Sequence, residues 1–396
     1  MSNTAAIASA NECHRFLPES KYLAYYTCLK DKADPIADQL RSTALAFLGR
    51  ERASQELFDK EDAAQVPSTN SPSNSTLEIK NVKFEEAIPS IARLVQGRRV
   101  VMLNEAHHVS HHRIFGLELA SELRKVGFNY LAVEALTEST KIQSNGYATT
   151  FDPISGHYIR DPEFGHFLRE AMALGYSLVA YEAKGFKSEA EREKMQATNL
   201  ARLLQAHPEA RVLIYAGYGH IRKNKAEEHA YMGKILRDET GIDPFAIDQV
   251  GGTSSPYEQL TDSVRKQLGS SLGTKSVVVK NRDGKYLSSA SYQDQVDLTV
   301  FHPDEKLIFG RPDWLVKGRQ MHIVEPNKIG LKRPVVIRAI RTGEKNGIPI
   351  DQIMLDEPTD NASLYLPPGE YDIQRETLAA GVENLYRIKI SGGSSK

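Results

Sequence analysis

Arg99-Val100-Val101-Met102-Leu103-Asn104-Glu105-Ala106-His107 changes character halfway along. Its first part is an apolar run, too short for a helix and led by charge, which predicts a buried strand. Its second part is polar and reactive, and it falls where a strand gives way to a loop. Three more runs repeat the pattern. Tyr130-Leu131-Ala132-Val133 ends in Glu134, and Ser177-Leu178-Val179-Ala180-Tyr181 ends in Glu182. Arg211-Val212-Leu213-Ile214-Tyr215-Ala216 ends in Gly217-Tyr218-Gly219-His220. Helical patterns lie between them: Phe115, Leu119, Leu123 and Val126 share a stripe closed by Gly127, Phe164 to Leu174 ends at Gly175, Glu189 to Leu204 is long and charged, and Ala226 to Glu239 ends at Gly241. This alternation predicts an α/β fold with a mostly parallel sheet and flanking helices.

Outward from that core the pattern is different. Residues 12–60 read as helical, with Leu23, Tyr26 and Leu29, then Leu40, Ala44, Phe47 and Leu48 at helix spacing, so residues 1–65 form an N-terminal helical segment. Val66-Pro67-Ser68-Thr69-Asn70-Ser71-Pro72-Ser73-Asn74-Ser75 has too little apolar surface to pack, and 66–78 is set as a linker. The α/β domain spans 79–327. Beyond Ser276 the helices stop, and Val277–Val279, Val296–Val300 and Lys306–Phe309 are strand-like. A boundary near 326–332 precedes four more strand candidates, Pro334–Ile340, Ile348–Met354, Ser363–Ile373 and Leu385–Ile390. With the turn Leu366-Pro367-Pro368-Gly369-Glu370-Tyr371, they predict a C-terminal small β-sandwich module over 328–396.

The 396 residues hold 50 Lys plus Arg against 51 Asp plus Glu, a net charge of −1. That balance argues against a general nucleic-acid grip, which needs a basic excess on one surface. No apolar run approaches the length that crosses a bilayer. Met1 to Ala10 lack the apolar centre of a secretory signal. Cys13 and Cys28 are the 2 cysteines. A close pair is consistent with a local disulfide, which would point to a periplasmic or secreted chain with its leader removed. Two unpaired thiols, and with them the cytoplasm, are the other reading.

Ligands of an open parallel sheet bind beyond the carboxyl ends of its strands. A single Glu after a strand is ordinarily a helix-cap neighbour or a surface group. Glu105, Glu134 and Glu182, recurring at one topological point with His107 and His220, make a rim of acids and imidazoles. Such a cluster can hold a proton for transfer, activate water or bind a divalent metal. The turn Gly217-Tyr218-Gly219 lets the backbone approach a ligand closely beside His220. His107 and His111, like His108 and His112, lie four apart, a spacing that lets two imidazoles share a metal if the helix begins early enough. We expect His107 in the pocket, His108 and His111 as supporting or substrate contacts, and His112 solvated. No phosphate-binding Gly-rich fingerprint or Gly-x-Ser-x-Gly elbow occurs, and both cysteines are remote from the rim. What remains is attack by an activated water.

Asn104-Glu105-Ala106-His107 resembles the Gly-Glu-x-His motif of the erythromycin esterase and ChaN-like superfamily, to which the Tiki and TraB proteases are more distantly similar. Glu134, the acidic Glu182, the helix Glu191-Arg192-Glu193-Lys194-Met195-Gln196-Ala197-Thr198-Asn199-Leu200 and Ala216-Gly217-Tyr218-Gly219-His220 follow in the family's order, so the resemblance covers roughly residues 95–250. It implies that Glu105 and His107 activate water or bind metal, that Glu134 assists, and that His220 is a second imidazole. Arg192 would stabilise a carboxylate or an oxyanion, with a solvated helix charge as the equal alternative. Asn104 replaces the family's leading Gly, where a side chain would narrow the pocket or add a hydrogen bond. The expected function is hydrolysis of an ester or amide in a small molecule or peptide, with Glu105, His107, Glu134 and His220 as the ligands if a metal assists. The alternatives are a haem- or metal-binding cell-envelope protein and an inactive scaffold that presents the β-sandwich.

Overall fold

The computed structural model describes residues 10, 12–32, 35–65, 81–150, 156–225 and 229–392. The linker expected at 66–78 lies outside the described residues. The N-terminal part carries α1 (Tyr22–Lys30), α2 (Pro35–Phe47) and α3 (Glu51–Gln65). Then come β1 (Lys83–Glu86), α4 (Ala87–Leu94), β2 (Val100–Glu105), α5 (His111–Lys125), β3 (Tyr130–Val133) and α6 (Pro162–Ala173). They are followed by β4 (Ser177–Ala180), α7 (Glu189–Ala206), β5 (Val212–Gly217), α8 (Met232–Thr240), β6 (Phe245–Asp248), β7 (Val277–Lys280) and β8 (Leu298–Thr299).

Six strands form a parallel sheet in the order β4-β3-β5-β2-β6-β8. Every residue of β2 and of β5 is buried, as continuous apolar runs require when helices cover both faces. Alternation along the strands divides the core in two. Val101, Leu103, Leu131, Val133, Leu213 and Tyr215 pack against α4, α5 and α6. Val100, Met102, Ala132, Val212, Ile214 and Ala216 pack against α7 and α8. The chain runs from β2 out to β3 and β4, returns to insert β5 beside β2, then continues to β6 and β8 on the far side. The order therefore reverses at β2 and β5, where the pairing sets Glu105 opposite Gly217 and Val133 opposite Tyr215. The ends of β3, β5 and β2 thus lie side by side, at the crevice expected for ligands.

The C-terminal part adds a short hairpin, β9 (Leu307–Ile308) and β10 (Arg311–Pro312), then β11 (Gln320–Ile323), β12 (Val335–Arg341), β13 (Asp351–Leu355), β14 (Ser363–Leu366), β15 (Gly369–Thr377) and β16 (Gly381–Ile390). A four-stranded antiparallel sheet, β13-β12-β15-β16, shares one core with the pair β11-β14. β11 precedes the boundary expected at residue 328, because its backbone groups are satisfied by β14. The helix expected from Ala226 begins at Met232, after Lys225 and Ala230 pair in an isolated bridge.

The N-terminal helices pack against the C-terminal sheet. Leu23, Phe47 and Leu48 pack on Val336 and Met354 of the C-terminal sheet. Glu376 of β15 accepts the first-turn amides of Leu23 and Ala24 at 2.9 and 3.3 Å, satisfying donors that a helix start leaves open. Arg338 pairs with the same carboxylate at 3.1 Å. Cys13 and Cys28 form the disulfide, tying the 3-10 helix Glu12–Phe16 to α1. Among the described residues no helix is long and apolar enough to cross a membrane. Cutting the bridge frees a loop of sequence separation 15, so Cys13→Ser with Cys28→Ser is expected to cost about 2–3 kcal/mol in urea denaturation, and reductant is expected to reproduce that loss in the wild type.

Candidate active site

Glu105 continues the alternation of Leu103 and faces α5. Arg113, on the buried stripe of that helix, meets it: Nε donates to Oε2 at 2.9 Å and Nη2 to Oε1 at 3.2 Å. The same guanidinium donates to the His107 carbonyl at 2.8 Å and lies 2.8 Å from Asp161, which caps the start of α6. Burial pushes the Glu105 carboxyl up, but Arg113 and His107 outweigh it and hold the group below the ordinary range. His107 Nδ1 lies 2.9 Å from Glu105 Oε1. An ionised carboxylate only accepts, so Nδ1 carries a proton, and in the neutral form of the ring Nε2 is the free nitrogen. The ring is stacked on Tyr158 with centroids 3.8 Å apart and meets the Tyr218 ring edge-on at 5.1 Å.

Gly217 opens the space that the His107 ring uses. A Cβ there would lie 2.6 Å from His107 Nε2 and 3.2 Å from Glu134 Oε2, so both atoms rest against one Cα. Glu134, one residue past β3, falls on the opposite face from Glu105, where α7 supplies its cation. Arg192 Nη2 donates to Glu134 Oε1 at 2.6 Å, His220 Nε2 lies 3.4 Å from that oxygen, and the Gly217 amide donates to Oε2. Burial would raise this carboxyl, but His220, His107 and Arg192 hold it well below the ordinary range. His220 Nδ1 donates to Glu193 at 2.9 Å, and Glu193 accepts the Met232 amide at the start of α8. Burial would lower the His220 pKa, yet Glu134 and Glu193 raise it to about 10, which makes the ring an imidazolium at neutral pH. Tyr218 between these groups has φ +39°, a left-handed conformation uncommon outside glycine, and its carbonyl accepts the Asn104 amide at 3.1 Å.

Glu105, His107, Glu134, His220 and Arg192 therefore share one rim. Glu182 stands behind it, gripping Arg192 at 3.2 and 2.6 Å and accepting from Gln196 at 2.9 Å. Asn104 does not narrow the pocket. It is buried and tied to Asp248 at 2.9 Å and to the Gln249 amide at 2.7 Å, which locks β2 to the end of β6. His112, expected in solvent, is fully buried. Its Nδ1 accepts the Ala106 amide and its Nε2 meets Thr253, because α5 starts at His111 and turns the ring inward. The same helix start removes the one-turn spacing between His107 and His111. His111 instead stacks on Trp314 in a cavity of about 900 Å³ away from the rim, bordered by Glu118 and Lys317. His108 stacks on Phe58 and touches the Tyr218 hydroxyl at 3.3 Å. Arg113, Asp161, Glu193 and Tyr158 were not foreseen. Arg113 aligns with Gly116, Ala120 and Leu123, and Glu193 with Gln196, Ala197, Leu200 and Leu204; a charge on a buried helical stripe was the available signal.

These residues do not fit a divalent cation. Each rim carboxylate is already paired with a guanidinium, and His220 Nδ1 is spent on Glu193. Among the described residues no group of three or more His, Cys, Asp or Glu is arranged to hold a metal ion.

No family model and no curated protein matches this chain. Some solved structures show a low similarity to it. The type III effector HopBA1 is 14% identical with a TM-score of 0.32, over 47% of this chain and 95% of its own. RRSP, a MARTX toxin effector domain from Vibrio vulnificus CMCP6, is 16% identical with a TM-score of 0.33, over 62% of this chain and 56% of its own. A structure described as bacterial protein toxins is 15% identical with a TM-score of 0.33, over 54% of this chain and 44% of its own.

Arg113→Met leaves Glu105 and Asp161 as buried carboxylates without their cation, and urea denaturation is expected to show a loss of about 3–5 kcal/mol. His220 has its folded pKa raised from 6.5 to about 10, so its contribution to stability is complete below pH 6.5 and fades as pH rises through about 10. Imidazole NMR shifts are expected to report a protonated His220 at pH 8, and a neutral ring at that pH in Glu134→Gln with Glu193→Gln.

Proposed function

We propose that this rim hydrolyses an ester or amide bond with His107 as general base and no bound metal. The observation that carries the reading is His107 Nε2, held against the Gly217 Cα beside the Glu134 carboxylate, on which His220 also sits. Glu105 fixes the Nδ1 proton and the ring plane. Nε2 takes a proton from a water that Glu134 Oε2 aligns, and the resulting hydroxide adds to the substrate carbonyl. The oxyanion forms beside His220 and Arg192, two preorganised cations in a largely buried setting, where charge stabilisation is strong. The proton on His107 Nε2 then passes to the leaving oxygen or nitrogen. Tyr158 keeps the ring from rotating away, and Glu182 keeps Arg192 aimed. The ordered motifs support kinship with the erythromycin esterase and ChaN-like superfamily, within which this is the hydrolytic reading. The Cys13–Cys28 disulfide supports an oxidising compartment.

The test is turnover of chromogenic esters and fluorogenic peptides by the full chain. His107→Asn is expected to lower kcat/KM by about 10²–10⁴, the usual range for one general base. Glu105→Gln is expected to lower it less and to shift the pH profile. Chelator is expected to leave the rate unchanged. Turnover that survives His107→Asn, or that chelator removes and added metal restores, sinks the reading.

A further inference from the structure

His157 and Arg160 flank the tyrosine that stacks on His107, and the hydrolytic chemistry uses neither. Arg160 is 6% exposed. Its Nη1 donates to the Gly156 carbonyl at 2.6 Å, while its Nε has no hydrogen-bond partner among the described residues. Among the described residues the groups that act on its charge are two phenols, Tyr22 and Tyr25, with no carboxylate, and His14 and His157 feel that charge as well. A guanidinium buried without a counter-charge is costly, and proteins keep one only where something compensates it.

The groups around Arg160 share its deficit. Tyr22 and Tyr25 are buried to 1% and 0% exposure, and neither hydroxyl has a partner among the described residues. His14 Nε2 and His157 Nε2 are buried and have no partner among those residues either. Their rings form a closed triangle with Tyr25: His14–Tyr25 5.6 Å, His14–His157 5.4 Å and Tyr25–His157 6.2 Å between centroids. Phe47 packs on His157 at 5.5 Å and on Tyr22 at 6.2 Å, giving the cluster an apolar wall. The Cys13–Cys28 disulfide holds the turn that bears His14 against α1, which bears both tyrosines. His14 and His157 are only partly buried, so the cluster has a side towards solvent.

The inventory is one cation, two phenolic donors and two imidazole nitrogens, with no acidic acceptor among them. Water satisfies hydrogen bonds there but leaves the guanidinium uncompensated. An oxyanion supplies both the charge and several acceptor lone pairs, and it binds guanidinium and hydroxyl donors through charge-assisted bonds. We propose that Arg160, Tyr22, Tyr25, His14 and His157 form a binding site for a small oxyanion group, a phosphate or a carboxylate. Two sources share this chemistry: a free anion, or the anionic end of a substrate whose carbonyl sits at the neighbouring rim. The second source rests on the hydrolytic reading. The site itself does not.

Calorimetric titration of the oxidised full chain with inorganic phosphate, and separately with acetate, reads the site without any turnover. Chloride at matched ionic strength is the control. Saturable binding of at least one of them, with a matching rise in unfolding midpoint, is expected. Arg160→Gln is expected to weaken that binding by about tenfold or more. Tyr25→Phe removes one hydroxyl that has no partner among the described residues. It is expected to leave the ligand-free midpoint unchanged while weakening the anion several-fold, and it decides the matter if Arg160→Gln does not fold. A cluster that only holds water or packs the helices gives no saturable heat with either anion, or equal heat in wild type and Tyr25→Phe, and either result overturns the proposal. Competition then separates the sources. Phosphate that slows turnover of an anionic ester but not of a neutral one assigns the site to the substrate, and phosphate that binds without slowing either assigns it to a free anion. Failure of all turnover would end the hydrolytic reading while leaving the titration result standing.

Discussion

The Arg113 guanidinium is the point on which the rim depends. It is fully buried, yet it holds the Glu105 carboxylate by two donors, the His107 carbonyl by another and the Asp161 carboxylate by its remaining edge. A lysine cannot replace it, because only a planar fork presents donors in several fixed directions at once. Through Glu105 it sets the tautomer of His107. Through Asp161 it fixes the start of α6, and so the segment that lays Tyr158 on the His107 ring. One buried charge thereby joins the end of β2, the loop after it and two helices into a single rigid body.

The same logic operates on the other face of the sheet with different residues. Arg192 joins Glu134 to Glu182, and Glu193 joins His220 to the first amide of α8. Alternation along a strand sends Glu105 and Glu134 to opposite faces, so each carboxylate needs a cation from the helix that covers its own face. The result is a crevice whose acids are neutralised locally, Glu193 by His220, with His107 Nε2 lying against the Gly217 Cα between the two systems. The strained Tyr218 belongs here as well. Its left-handed backbone is held by the Asn104 side-chain amide from the neighbouring strand, which gives that buried side chain a structural use.

The terminal parts serve the same region from behind. Glu376 on the C-terminal sheet anchors α1, the disulfide anchors the turn before it, and these bring His14, Tyr22 and Tyr25 beside the residues that flank Tyr158. The β-rich module is a brace for the helical segment, joined to it by a shared core through Val336 and Met354.

Much of this was legible in local pattern. Apolar runs that break into Glu or His marked the four strand ends and, with them, Glu105, His107, Glu134, Glu182 and His220, because a buried parallel strand must be apolar throughout and its ligand-facing loop need not be. The fates of His108, His111 and His112 were not legible. Neighbours in sequence, they went to Phe58, Trp314 and Thr253, partners distant in the chain and brought near only by packing. Nor did periodicity show that β5 inserts between β2 and β3, since strand order is a non-local choice that hydropathy does not record. The sequence by itself determined which residues stand at strand ends and which helical stripes are buried. Only the tertiary structure decided which carboxylate meets which arginine, and hence that His220 is held charged, because protonation is set by partners within a few ångströms and not by position in the chain.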